Sequence, residues 1–163
     1  MFRNLNFALL SFAFVIAAVG EGRAEPQGAT ILTVTGDLSH GEEVTFDRDQ
    51  LKEIGWETIT TESPFLEGEQ TFTGTPMSAL LRYLDIETGT FVAFALNDYS
   101  IEIPLSDARK YQVLLALEHN GQAMRIRDRG PIWIIYPTTK SDSLDVNAER
   151  RMVWQLKQLD YTR

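Results

Sequence analysis

Five arginines stand in two short segments: Arg125, Arg127 and Arg129 within RIRDRG, and Arg150 with Arg151 near the C-terminus. The first segment runs into an aromatic, apolar stretch, residues 132–136 (IWIIY), and the second is followed by Trp154. Guanidinium forks bind planar or phosphate-like acceptors bidentately, and aromatic faces stack on flat ligands. If the two segments meet in space, they wall a cationic, aromatic pocket in an otherwise acidic protein. The alternative is pairing with surface carboxylates, where each pair contributes little to stability. The sequence alone leaves both open.

Other chemistry is easier to set aside. The chain has no cysteine, hence no thiolate nucleophile, iron–sulfur cluster, cysteine zinc site or thiolate ligand for molybdenum. Its two histidines, His40 and His119, fall in turn-like segments with no nucleophile motif beside them. His119 is expected to be a solvated loop residue. The carboxylate pairs Glu42 with Glu43 and Glu67 with Glu69 read as solvated surface. With 23 acidic against 15 basic side chains and a net charge of −8, binding to nucleic-acid phosphates or anionic lipid is opposed.

The N-terminal residues have the three parts of a secretory signal. Arg3 gives a positive start, residues 7–19 (FALLSFAFVIAAV) are apolar, and Gly22 and Ala24 are small residues at a cleavage site. The apolar run is shorter than the roughly 20 residues a spanning helix needs. The expectation is export to a periplasm with cleavage after Ala24, no membrane insertion afterwards, and a single domain over residues 25–163. Loss of Arg3, Arg23 and Glu21 makes the product one unit more negative. Without disulfides such a domain depends on its apolar core, and 44% hydrophobic residues can supply one.

The elements that must position the arginines follow from periodicity. Residues 30–35 alternate as a half-buried strand, and residues 43–46 form a second. Asp47 with Gln50 makes a capping box for a short helix that turns Leu51 and Ile54 inward and ends at Gly55. Residues 56–61 return to strand alternation, and residues 63–68 read as an acidic turn. Residues 71–75 lead into a helix with Thr75 as N-cap and Pro76 in the first turn, carrying the stripe Met77, Leu80, Leu81, Leu84. Residues 90–104 read as a hairpin turning at Asn97-Asp98. A helical turn is expected at 106–110, strands at 112–117 and 132–136, and a turn at Asn120-Gly121. Residues 138–147 read as a loop. The tail, 149–161, fits helix and strand periods equally. This is an α+β pattern, mostly β, with a few short helices.

The order of these motifs resembles the molybdopterin-binding domain of sulfite-oxidase-type enzymes. The likeness runs through the strand and turn 32–36, Phe72-Thr73-Gly74-Thr75-Pro76 before Leu80-Leu81, and the hairpin Asn97-Asp98-Tyr99-Ser100. It continues in Leu115-Ala116-Leu117-Glu118-His119-Asn120-Gly121, in Arg129-Gly130-Pro131 before residues 132–137, and in Val153-Trp154 to Leu159. It implies a mostly β, mixed-sheet or barrel-like domain. In those enzymes a cysteine after the third strand binds molybdenum. Here Thr60-Thr61-Glu62-Ser63-Pro64-Phe65 stands in that place, which makes a molybdenum cofactor and oxygen-atom transfer unexpected.

The sequence is more closely similar to small periplasmic proteins that keep this fold and bind a free pterin, regulating a membrane-bound cyclic-di-GMP enzyme or sensor kinase. That resemblance implies a non-catalytic pterin-binding regulator, acting in signalling of the kind that governs biofilms. Asn97, Asp98, Tyr99, Arg129, Arg150, Arg151 and Trp154 are its implied ligand-binding residues. Tyr99 and Trp154 have plain packing roles as alternatives. Two other functions stay open: a molybdopterin-dependent oxidoreductase or its accessory subunit, and a ligand-free interaction domain.

Overall fold

The computed structural model describes residues 27–39, 41, 43–138 and 146–163. The predicted leader, His40, Glu42 and most of the predicted 138–147 loop lie outside the described residues.

Two sheets carry the fold. One orders its strands β2 (Glu43–Phe46), β1 (Leu32–Gly36), β10 (Leu156–Thr162), β5 (Thr90–Ala95) and β6 (Ser100–Pro104). It is mixed, because β1 and β10 run parallel while the other pairs are antiparallel. The other runs β3 (Glu57–Ser63), β4 (Leu66–Pro76), β7 (Leu114–His119) and β8 (Gln122–Ala123), with β9 (Trp133–Ile135) also paired to β7. The expected fold class is the observed one. Short helices α1 (Arg48–Ile54), α2 (Met77–Leu84), α3 (Asp107–Lys110) and α4 (Val146–Arg150) complete the described architecture.

Local signals account for much of this. In β5 every second residue, Phe91, Ala93 and Ala95, is buried, as period two requires of a strand with one solvated face. Four successive residues of β7 and all three of β9 are buried, so these strands are covered on both sides. Asp47 caps α1 in a full capping box with Gln50, and it also accepts hydrogen bonds from the Gln27 and Gly28 amides. The Asn120-Gly121 turn has positive φ at both residues, 48° and 75°, the geometry of a tight hairpin. All four stripe residues of α2 are buried.

Several expectations change. Thr75 does not cap α2; Pro76 takes that place without a side-chain bond. The Thr75 hydroxyl instead donates to the carbonyl of Leu51, midway along α1, at 2.6 Å. The predicted acidic turn at 63–68 shrinks to Pro64-Phe65, because β4 begins at Leu66. Residues 146 and 147, expected in a loop, open α4. The ambiguous tail divides: α4 ends at Arg150, residues 152–155 are irregular, and β10 starts at Leu156.

That irregular stretch joins the two sheets. Ile134 donates its amide to Val153, Leu156 donates to Ile132, and the Trp133 indole donates to the Met152 carbonyl. It is therefore fastened along β9 before the chain enters β10 in the other sheet.

Candidate functional site

A cleft of about 380 Å³ opens where three separate segments meet. The β3–β4 turn contributes Phe65. The β5–β6 hairpin contributes Ala95, Asn97 and Tyr99. The α4–β10 connection contributes Val146, Glu149, Arg150, Met152, Val153 and Trp154. Its walls are mostly apolar, with a few polar groups converging, as in sites for small molecules.

Trp154 is half-buried in the wall. Phe65 stands edge-on to it at 5.2 Å between ring centroids, and Trp133 does the same at 6.3 Å. The Arg129 guanidinium lies over both indoles, 4.9 Å from Trp133 and 5.6 Å from Trp154, a cation–π arrangement. Arg129 has a left-handed φ of 70°, and its carbonyl accepts the Gln155 amide. It thus stands behind the aromatic wall, not among the residues lining the cleft.

Tyr99 is 44% exposed, and its hydroxyl donates to the Arg150 carbonyl at 3.1 Å. This bond joins the hairpin to the end of α4 across the cleft. Asn97 shapes the hairpin through its side-chain oxygen, which accepts the Tyr99 amide. The Arg150 side chain is exposed at the rim.

Two predicted residues point elsewhere. The Asp98 side chain is 93% exposed and pairs with Lys157 at 3.3 Å, because its left-handed φ of 64° at the hairpin tip turns it away from the cleft. Arg151 bonds the nearly buried Asp107 at 2.9 Å and the Glu102 carbonyl. Asp107 also accepts from the Tyr136 hydroxyl at 2.9 Å. Burial, with the Asp107 carboxylate next, raises the Tyr136 pKa well above its ordinary value, so this phenol stays a proton donor. Arg151 completes a buried structural network.

His119 also departs from expectation. It ends β7, half-buried, stacked on Phe72 at 4.9 Å, with Nε2 2.8 Å from the Gln70 side-chain oxygen. Burial first, then the nearby Arg129 charge, lowers its pKa below the ordinary 6.5. Arg125 and Arg127 instead gather at Asp128, at 2.6 and 3.9 Å. Of the five arginines, Arg150 lines the cleft and Arg129 reaches it only by packing on Trp154.

Phe65, Met152, Val153 and Glu149 line the cleft without being among the ligand-binding residues that the resemblance implies. Phe65 lies in the stretch that replaces the cysteine segment, and Glu149 adjoins Arg150; those positions were the available signals.

Residues 48–141, more than half of the chain, match the oxidoreductase molybdopterin binding domain. The chain belongs to that family. Solved structures similar to this domain include the sulfane dehydrogenase SoxCD from Paracoccus pantotrophus, at 18% identity and a TM-score of 0.61. The match covers 80% of this chain and 37% of that one, so the chain spans little more than a third of that protein, and the likeness is one of fold. No curated protein sequence matches it.

The family implies a pterin-type cofactor. The cleft has room for a flat ring system, with an indole and a phenol at its walls and Asn97 and Arg150 also in its lining. In the stretch that takes the place of the cysteine segment, the hydroxyls of Thr61 and Ser63 are hydrogen-bonded within the fold. The Thr61 hydroxyl accepts the Thr138 amide and points back at the Thr138 carbonyl, and the Ser63 hydroxyl accepts the Phe65 amide. Both residues are buried. Among the described residues no cluster of three or more His, Cys, Asp or Glu could hold a metal ion. Nor is any described helix long and apolar enough to cross a membrane.

Proposed function

We propose that this domain is a periplasmic, non-catalytic pterin-binding protein that reports pterin occupancy to an inner-membrane sensor, a cyclic-di-GMP enzyme or a histidine kinase. The observation that carries the ligand part is the meeting of Asn97, Tyr99, Arg150 and Trp154, from distant segments, on one cleft of about 380 Å³. That volume lies near the small end of the range for ligand pockets, about 300–1,000 Å³, and suits a bicyclic heterocycle. The pterin stacks against Trp154 or Tyr99, its amide edge faces Asn97, and Arg150 holds an acceptor oxygen. Arg129 acts from behind by fixing the Trp154 indole. The Thr61 hydroxyl, which both donates and accepts within the fold, favours binding without metal chemistry. Export and the membrane partner rest on the leader-like N-terminus and the family resemblance.

Titration of the purified protein with oxidised and tetrahydro pterins tests this. Binding should quench tryptophan emission and raise the melting temperature, since a ligand specific to the native state stabilises it. Trp154→Ala should weaken binding at least tenfold while the circular dichroism spectrum is kept. Stoichiometric molybdenum in the purified protein would instead establish the oxidoreductase reading that family membership also allows. A melting temperature unmoved by every pterin would leave an interaction domain.

A further inference from the structure

Among the described residues that line the cleft, Glu149 carries the only carboxylate. It sits half-buried on α4, and most of the lining around it is apolar: Phe65, Ala95, Val146, Met152 and Val153. Its oxygens meet no cation and accept no hydrogen bond among the described residues. The neighbouring carboxylates differ, since Asp98 pairs with Lys157 and Asp107 with Arg151. Arg150 follows Glu149 in sequence, but residues one apart on a helix do not face each other. A charged group held partly out of water against apolar surface is unfavourable until donors reach it. The cleft thus offers two free acceptor oxygens to whatever enters it.

The other polar groups of the lining narrow the match. The Tyr99 hydroxyl donates to the Arg150 carbonyl. Asn97 uses its side-chain oxygen to accept the Tyr99 amide, which leaves its side-chain N–H groups as donors. The lining therefore presents a pair of acceptors at Glu149 and a donor at Asn97. One edge of a pterin shows the complementary set: an amino group and a ring N–H side by side as donors, then a carbonyl as acceptor. A carboxylate takes two such donors in parallel, charge-assisted bonds, as it does with a guanidinium fork.

We infer that Glu149 sets the specificity of the cleft, by accepting the amino and ring N–H groups of an amino–lactam heterocycle while Asn97 donates to its carbonyl. The inference rests on the pterin reading and deepens it, naming the edge that is read and the residue that reads it. Lumazine differs from pterin by a carbonyl in place of the amino group. That oxygen meets the carboxylate acceptor against acceptor, and leaving buried polar groups unmatched is costly. Selection through hydrogen bonds of this kind exceeds what apolar contact provides. Guanine carries the same edge as pterin and falls in the same class.

The test measures, by calorimetry, binding of pterin, lumazine and guanosine to the protein and to its Glu149→Gln variant. The wild type should prefer pterin to lumazine at least tenfold. In Glu149→Gln one acceptor becomes a donor, so pterin should weaken at least tenfold and lumazine should tighten several-fold, reversing the order. A purely structural role for Glu149 would move both ligands together. A variant that leaves the pterin-to-lumazine ratio unchanged therefore overturns the inference. Equal binding of the two by the wild type also overturns it, whether or not the variant folds, and the pterin reading then survives without Glu149. Guanosine binding that depends on Glu149, with no pterin binding, keeps the edge-reading role and removes the pterin reading. No binding by any of the three removes both.

Discussion

Arg150 and Arg151 are neighbours in sequence with opposite fates, and substitution should separate them. Arg151 holds a carboxylate that is almost fully buried, so Arg151→Ala leaves Asp107 short of its cation. Removing one partner of a buried pair costs about 3–5 kcal/mol; Arg151 is itself partly exposed, so about 2 kcal/mol is expected. Urea denaturation reads that loss, and pterin affinity should change little. Arg150→Ala should do the opposite, weakening pterin several-fold with stability unchanged. His119 makes a separate prediction about pH. Its folded-state pKa lies below the ordinary 6.5 because burial disfavours the charged ring. Above 6.5 the ring is neutral in both states and carries no penalty. As pH falls from 6.5 through the lower folded value, the unfolded chain takes up the proton first and stability declines. His119→Gln should flatten that part of the stability–pH curve while keeping a polar partner for Gln70.

At the scale of elements, the second sheet depends on how closely β4 and β7 approach. Their register shifts between Thr73 and Gly74, and a Cβ at Gly74 would run into the Leu115 carbonyl and the Ala116 backbone. Backbone cannot swing aside as a flexible side chain can. Gly74→Ala is therefore expected to destabilise by about 3 kcal/mol or more, read as a lower urea midpoint. The effect should reach the ligand cleft, since β7 pairs with β9 and β9 holds residues 152–156. By contrast, the capping box of α1 is complete within four residues, and that helix meets β4 through the Thr75–Leu51 bond.

For the whole molecule, the net charge of −8 is a mild burden, because like charges repel most in the compact state. Salt screens that repulsion over about 10 Å at 0.1 M. Raising ionic strength from about 0.01 to 0.15 M, a range over which the screening length falls from about 30 to about 8 Å, should raise the melting temperature.

What the sequence determined by itself was local or family-wide. The alternation of β5, the α2 stripe, the Asp47 box and the Asn120-Gly121 turn each depend on residues within a few positions, so period and turn chemistry sufficed. The family pattern brought out Asn97, Tyr99, Arg150 and Trp154, which do share a cleft. Tertiary structure decided the rest. It sent Asp98 outward to Lys157, drew Arg151 onto Asp107 and Tyr136, spent the Thr75 hydroxyl on Leu51, and drew His119 into a stack with Phe72. Each outcome depended on a partner distant in sequence or on a left-handed backbone angle, and neither leaves a mark on a residue's near neighbours. Side-chain direction is set by whichever buried group must be satisfied, and that group is known only when the two sheets have come together.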